Sequence, residues 1–544
     1  MPAPQQPPII DARTASTTAL HHVWNECVGA GRANEGLRAD WQRQLAQAVE
    51  RIGFRYVRFH GIFHDDMFVH RATYGSGFGP DSVLDPPVHT FSYLDSLFDA
   101  LLDLGVKPFV ELGFMPSGLA TQHRTVFWWG AHCSPPNDMA GWVALVDATV
   151  RHWVERYGLD EVRTWRFEIW NEPNLNPHFW TGTRSEYFEL YEHTARAIKA
   201  IDPGLLVGGP STSVFVPDER YAGEVEDRSV EAATADATDP DALDWRPVWI
   251  QELLDHCAER DLPVDFVSTH LYPTDFAFAA NDELVHLTRH ADATREDLLR
   301  LRELLAGSAF PEAEIHISEW SSSPSSRDAL HDTVFGAAYI TRAYLRCAGL
   351  ADSISYWTFT DIFEEGGAGI GPFHGGFGMV NERGIHKPTF HAFEMLSRLG
   401  DELLVETDAG VITRSIATGD ISAVLVNYPA DMNGASVRAC DTYAQAAALE
   451  SKGPAIAVHH RIGGLEPFAP YEIVRLDLDH GNVARAWHER GEPINLTRAQ
   501  ERELHEIADG LARERLSASA DGVLDLSLTL PPWAVLSVAP APRD

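Results

Sequence analysis

Between His21 and Phe359 eight short apolar runs alternate with amphipathic stretches, and that alternation restricts the chain to few folds. The runs are His21–Asn25, Tyr56–His60, Pro108–Leu112, Trp165–Trp170, Leu205–Gly209, Asp265–His270, Glu314–Ser318 and Ser353–Phe359. Helical patterns lie between them, among them Trp41–Arg51, Tyr93–Leu104, Ala140–Tyr157, Ser185–Ala200, Trp249–Arg260 and Thr333–Ala348. Repeated strand–helix units predict an α/β fold, a (β/α)8 TIM barrel with insertions, whose chemistry gathers at the C-terminal ends of the strands. From about Gly400 the periodicity changes. Ser422–Asn427, Tyr471–Leu478, Gly522–Leu530 and Val535–Val538 read as strands of a C-terminal β-sandwich, with Arg498–Leu511 as one inserted helix. The expected units are a catalytic barrel over 15–398 and an accessory sandwich over 399–544.

Two of the predicted strands end in a carboxylic acid. In Arg166-Phe-Glu-Ile-Trp-Asn-Glu-Pro-Asn174 the strand gives way to breakers at Asn171 and Glu172. In Glu314-Ile-His-Ile-Ser-Glu-Trp320 the acid is Glu319, followed by a serine run. With 79 acidic residues in the chain, a single Glu at a turn means little; two at strand ends of one barrel fit the pair that cleaves glycosidic bonds. Glu172 suits the proton donor, because a strand end lined by Trp170 desolvates it and raises its pKa. Asn171 suits a hydroxyl next to the reacting carbon. Glu319 must be ionised to attack, and His270 and Tyr272, at the end of the sixth run, are candidate donors to it. His60 and Glu111 are further candidates, whereas Glu168 reads as structural. In the last run Trp357 suits the floor of a sugar site, and Glu364 or Glu365 suits its hydroxyls.

Two insertions accompany the barrel. Pro217–Pro247 carries ten acidic against three basic residues and reads as a solvated loop, with a lid as the alternative. Pro116–Pro136 contains Phe127-Trp128-Trp129, which suits either a leaving-group subsite or packing of the loop on the barrel.

A formal net charge of −36 repels phosphate backbones and anionic lipids, which excludes nucleic acid and membrane surfaces as partners. The start, Met1–Pro8, has neither a basic segment nor an apolar run, and no apolar stretch is long enough to span a bilayer. The five cysteines are odd in number, widely spread and without CxxC or Cys/His spacing. Reduced thiols in a cytoplasm are expected, with no structural metal. The glycines between Gly366 and Gly378 lack phosphate-cradle spacing, and no cofactor is expected. The expected partner is a small carbohydrate; a homo-oligomer is left open.

The chain resembles glycoside hydrolase family 39 over nearly its whole length, and the bacterial β-xylosidases of that family more than its α-L-iduronidases. The residues that carry the resemblance are His22–Glu26 with Gly36-Leu-Arg38, Arg58–Gly61, Trp170–Asn174, Thr269–Pro273, Ser318-Glu-Trp320, Tyr356–Phe359 and Phe363–Glu365 with Phe373–Phe377. The resemblance implies a retaining mechanism with Glu172 as acid/base and Glu319 as nucleophile. It also implies sugar contacts from His60, Asn171, His270, Tyr272, Trp357, Glu364 and Glu365, and release of xylose from the non-reducing end of xylo-oligosaccharides. It further implies that residues 1–14, with a strand at Ile9–Ala12, join the sandwich. An α-L-arabinosidase or α-L-iduronidase is the alternative within this frame. A uronate needs a cation, and no Arg or Lys lies between Asp361 and Arg383, so iduronidase falls behind. A non-catalytic sugar-binding protein would be expected to have lost one of the two carboxylates, and both are present.

Overall fold

A computed structural model describes residues 7–75, 81–213, 215–217, 220–227, 239, 242–278, 284–432 and 439–541. Eight parallel strands close into a barrel: Cys27–Arg32, Tyr56–His60, Lys107–Leu112, Arg166–Ile169, Leu206–Ser213, Phe266–His270, Glu314–Trp320 and Ser353–Tyr356. A helix follows each, in order Ala39–Ile52, Ser92–Asp103, Met139–Tyr157, Arg184–Ile201, Ile250–Arg260, Ala293–Ala306, Val334–Cys347 and Pro388–Leu396. The expected (β/α)8 barrel is therefore the fold of the chain.

The first strand differs from the expected one. His21–Asn25 is a bend beneath the barrel, where Val23 and Trp24 are buried and His22 contacts the Gly400 carbonyl at 3.2 Å. The strand is Cys27-Val-Gly-Ala-Gly-Arg32, whose glycines lower its strand propensity and hide it from a pattern search. Packing requires one of them: a Cβ on Gly29 would lie 2.4 Å from Cε3 of Trp357.

Inside the barrel the two-residue period sorts side chains into layers. The lower layer is apolar, with Cys27, Tyr56, Phe109 and Phe266 in contact. One step up, Arg58, Glu111 and Glu168 occupy the same inward face, all fully buried. Strand register slips between Gly29 and Arg32, Pro210 and Thr212, Thr269 and His270, and Ile317 and Trp320. All four irregularities lie toward the C-terminal ends of strands, where a bulge re-aims side chains into the mouth.

C-terminal to the barrel, a seven-stranded sheet runs Thr18–Ala19, Glu402–Thr407, Gly410–Arg414, Ile421–Val426, Val535–Pro540, Pro470–Leu476, Ala512–Ser517. Its central strands are buried on both faces. Ala423 and Leu425 pack toward a second sheet with Ile462, Leu524 and Leu526, while Val424 and Val426 join the core shared with the barrel helices. That second sheet has three strands, Ile456–Gly463 flanked by Leu524–Leu530 and by Ile9–Asp11 from the N-terminus. The inserted helix is Arg498–Ala508; Val483–Glu489 and Tyr443–Glu450 are helices of this region that the sequence pattern does not announce. Much of the acidic insertion 217–247 lies outside the described residues.

Replacing Gly29 by Ala drives a methyl into the Trp357 ring, and overpacking of this kind costs about 1–3 kcal/mol. Urea denaturation of Gly29→Ala should show that loss; stability within about 0.5 kcal/mol of wild type would mean that the ring yields.

Candidate active site

The fourth strand ends in a turn that has left-handed backbone at two non-glycine positions, Trp170 (φ 74°) and Glu172 (φ 47°). Such positions are uncommon outside glycine and persist where the surroundings over-determine them. Here the Trp170 indole donates to the Phe179 carbonyl at 2.9 Å and packs edge-on against Phe114 and Trp180. The Glu172 amide donates to the Ser211 carbonyl at 2.8 Å, and Asn174 accepts from the Ser213 amide at 2.8 Å. Trp170 thus anchors the turn, while its strain holds Glu172 over the barrel.

Arg58 organises the layer below. Its Nε donates to Glu168 at 2.6 Å and its Nη1 to Glu319 Oε1 at 2.8 Å. Its Nη2 reaches Asn171 Oδ1 at 2.8 Å, Glu111 at 3.1 Å and Ser211 Oγ at 3.3 Å. Because Arg58 claims the Asn171 oxygen, the Asn171 amide protons face outward as donors. Glu319 Oε2 accepts from the Tyr272 hydroxyl at 3.2 Å, and His60 Nε2 lies 3.5 Å from Oε1. His270 stands between the two acids, with Nδ1 at 2.8 Å from Glu172 Oε1 and 3.5 Å from Glu319 Oε2. One oxygen of Glu172 and one of Glu319 lie within 4.8 Å of each other.

Burial lifts the Glu172 carboxyl to about 7, against the opposing pull of Ser213, His60 and Arg58. Burial raises Glu319 as well, opposed by His270, Arg58 and His60. His270 is pushed down to about 4 by burial and stays neutral. For His60 burial also disfavours the charge, but Glu111, 2.5 Å from Nδ1, outweighs it and lifts the ring to about 10. The two fixed cations therefore touch Glu319, and the partner of Glu172 is neutral.

Of the sequence candidates, Glu172, Glu319, His60, Asn171, His270, Tyr272 and Trp357 meet at this point. Trp357 is buried, its ring 4.8 Å from His60 and 5.8 Å from the Arg58 guanidinium carbon. The two neighbouring acids part company. Glu365 lies 3.6 Å from His60 Nε2, and burial raises its pKa. Glu364 turns away to Arg32 at 3.0 Å and Arg38 at 3.6 Å. Cations thus stand beside the eighth strand's acids after all; they come from the end of the first strand and the turn after it, outside the 361–383 window. In the third loop Phe127 stacks on His60 and Trp129, whereas Trp128 is 70% exposed, so packing accounts for two of the three rings.

Arg58 and Glu111 are the members of this buried network that pattern reading left out or underweighted. The signal was present: in Tyr56-Val-Arg-Phe-His60, Arg58 shares its face with His60, and a charged residue inside a barrel needs partners there. Glu168, read as structural, serves as a counter-ion; burial pushes its pKa up, but Arg58, His270 and the Ser318 and Ser268 hydroxyls together hold it below the usual carboxylate range. As for metals, Glu172, His270 and Glu319 could span one, but Arg58 already holds Glu319. A second cluster, His386, His391 and Asp509, joins the last barrel helix to Arg498–Ala508. There His391 Nε2 must donate to the Ala508 carbonyl at 2.8 Å, and Arg51 lies 3.2 Å from His386 Nδ1. That cluster does not suit a cation.

Arg58→Met would strand three buried carboxylates without their cation, and breaking such a network costs about 3–5 kcal/mol. Denaturant unfolding measures it. A loss below about 1 kcal/mol would show that the carboxyls regain neutrality at little cost.

The family model for glycosyl hydrolases family 39 matches residues 9–230 and 238–525. A β-xylosidase of Caldicellulosiruptor saccharolyticus is 35% identical over 95% of either chain. Among solved structures, the GH39 enzyme of Xanthomonas axonopodis pv. citri superposes with a TM-score of 0.82 at 32% identity, covering 99% of this chain and 98% of that one. A monomeric β-xylosidase from Caulobacter crescentus gives 0.80 at 33% identity, covering 98% and 99%. The α-L-iduronidase of Homo sapiens matches only 32% of this chain and 25% of its own length, at 28% identity. The chain belongs to glycoside hydrolase family 39.

Proposed function

We propose that this family 39 glycosidase is a retaining, exo-acting β-xylosidase that removes xylose from the non-reducing end of xylo-oligosaccharides. The observation that carries the roles is the asymmetry of charge: Arg58 and His60 attend Glu319, and neutral His270 attends Glu172. A carboxylate held by cations is the group that stays ionised to attack. A carboxyl lifted to about 7 by burial keeps a proton to give.

Glu319 Oε1 is tied to Arg58, which leaves Oε2, held by the longer Tyr272 contact, to attack the anomeric carbon. Glu172 gives its proton to the departing glycosidic oxygen, and a covalent glycosyl-enzyme forms. Glu172, now ionised, takes a proton from water, which attacks the same carbon and returns Glu319 as carboxylate. Two displacements retain the configuration. An oxygen–oxygen approach within 4.8 Å agrees with the narrow spacing of retaining enzymes. The Asn171 amide suits the hydroxyl beside the reacting carbon, where hydrogen bonds strengthen in the transition state. His60 and Glu365 suit hydroxyls farther from the cleaved bond, and the Trp357 ring suits the sugar's C–H face.

Xylose as the sugar is supported by β-xylosidase relatives that share nearly the whole chain, where the iduronidase likeness is partial. Of the cations beside the eighth strand's acids, Arg32 and Arg38 are already occupied by Glu364. A cytoplasmic site of action accords with five buried cysteines, none of which forms a disulfide. No helix among the described residues is long and apolar enough to cross a membrane.

Initial rates on nitrophenyl β-xyloside, α-arabinosides, β-glucoside and iduronide test the sugar; the xyloside should lead, and a faster iduronide would replace the reading. The alkaline limb of kcat/KM reports loss of the acid's proton, so activity should fall as pH rises through about 7. A plateau extending beyond about pH 9 would remove Glu172 from that role. Azide separates the two acids. On an activated aryl xyloside Glu172→Ala should be rescued to the retained glycosyl azide, while Glu319→Ala should give the inverted one. Product anomers read by NMR in the opposite sense would exchange the assignments.

A further inference from the structure

The segment Arg32–Arg38, which contains the Gly36-Leu-Arg38 motif, has no part in the chemistry above, yet it grips the loop that carries Glu365. Glu35 is 1% exposed, and its carboxyl accepts two backbone N–H groups. Oε2 takes that of Arg32 at 3.1 Å, and Oε1 crosses to the eighth-strand loop to take that of Glu364 at 2.8 Å. Gly31 makes room for it: a Cβ there would lie 2.3 Å from Oε2. Arg32 holds the Glu364 side chain at 3.0 Å and is itself fixed by Asp66 and by the Trp129 ring below it. Arg38 adds a contact at 3.6 Å. On the far side the Trp128 amide donates to the Glu365 carbonyl at 2.7 Å. Backbone on either side of Glu365 is thus pinned, and its side chain points toward His60, 3.6 Å from Nε2.

We propose that Glu35 is a positioning residue of the sugar site: by accepting the Glu364 amide it aims the Glu365 carboxyl at the pocket, and Glu364 serves as the handle for that grip and not as a ligand of the sugar. The inference rests on the reading of Glu365 as a sugar-binding carboxyl. It explains why two adjacent acids of like chemistry have opposite surroundings.

The experiment is a double-mutant cycle on nitrophenyl β-xyloside, or on the best substrate of the panel, using the full-length enzyme. Glu35→Ala should raise KM about tenfold with a smaller change in kcat, the size expected when one hydrogen-bonded contact loses its aim. Glu35→Gln keeps one acceptor oxygen for the Glu364 amide but turns its NH2 on the Arg32 N–H, so its KM should lie between those of wild type and Glu35→Ala. In a Glu365→Ala background, Glu35→Ala should add less than about twofold, because the residue it aims is gone. A merely structural Glu35 predicts the opposite: equal losses in both backgrounds. If Glu35→Ala fails to fold, Gly31→Ala takes its place, since the added methyl displaces the carboxyl and should produce the same KM effect and the same coupling. Additive losses, or an unchanged KM in Glu35→Ala, overturn the inference alone. A wild-type KM in Glu365→Ala overturns the reading of Glu365 and the inference with it.

Discussion

One guanidinium, that of Arg58, is the interaction on which the site depends. It lies fully buried inside the barrel and bonds residues from four other strands or their ends: Glu111, Glu168 with Asn171, Ser211, and Glu319. Burying so many ionisable groups is costly unless each finds a partner of good geometry. A planar fork with five donors meets that demand where an ammonium would not. Geometry follows from the same fork. Nη2 fixes Asn171, the neighbour of Glu172, and Nη1 fixes Glu319, so the two acids proposed to react are indexed to adjacent nitrogens of one rigid group.

Backbone irregularity completes what the charge network begins. A regular strand presents every second residue inward, and four strands here slip register toward their C-terminal ends. His270 and Glu319 are brought opposite each other by such a slip. Left-handed backbone at Trp170 and Glu172 performs the same service on the fourth strand. Strain at these points is held by aromatic packing around Trp170 and by the Ser211 and Asn174 hydrogen bonds.

Strand–helix alternation made the barrel legible, because seven of its strands are apolar runs bounded by polar residues. The eighth, at Cys27–Arg32, was displaced in the reading because its glycines answer to a tertiary contact, the Trp357 ring, that no local pattern contains. Glu172 and Glu319 were legible because strand ends are where barrels put chemistry. Arg58 was quoted in a motif and passed over, although its spacing from His60 places both on one face. The pairing of Glu364 with Arg32 and Arg38 was beyond sequence reading, since the partners are separated by more than three hundred positions. A search for cations confined to the loop of interest misses those that the barrel's closure brings beside it, where the first and eighth strands meet.

Charge arithmetic inside the barrel explains how catalysis at neutral pH arises from packing. Glu111, Glu168, Glu172, Glu319 and Glu365 surround two cationic groups, Arg58 and His60, with His270 kept neutral by burial. The cations are committed by contact: Arg58 to Glu168, Glu319 and Glu111, and His60 to Glu111. Glu172 is left with the weaker claim on them, and burial lifts its carboxyl to about 7. In the proposed mechanism, this surplus of acids over cations is the source of the proton that the leaving oxygen needs. Adding a cation beside Glu172 would tidy the electrostatics and remove the acid, which is why a neutral imidazole, and not a third positive charge, is the neighbour that this chemistry requires.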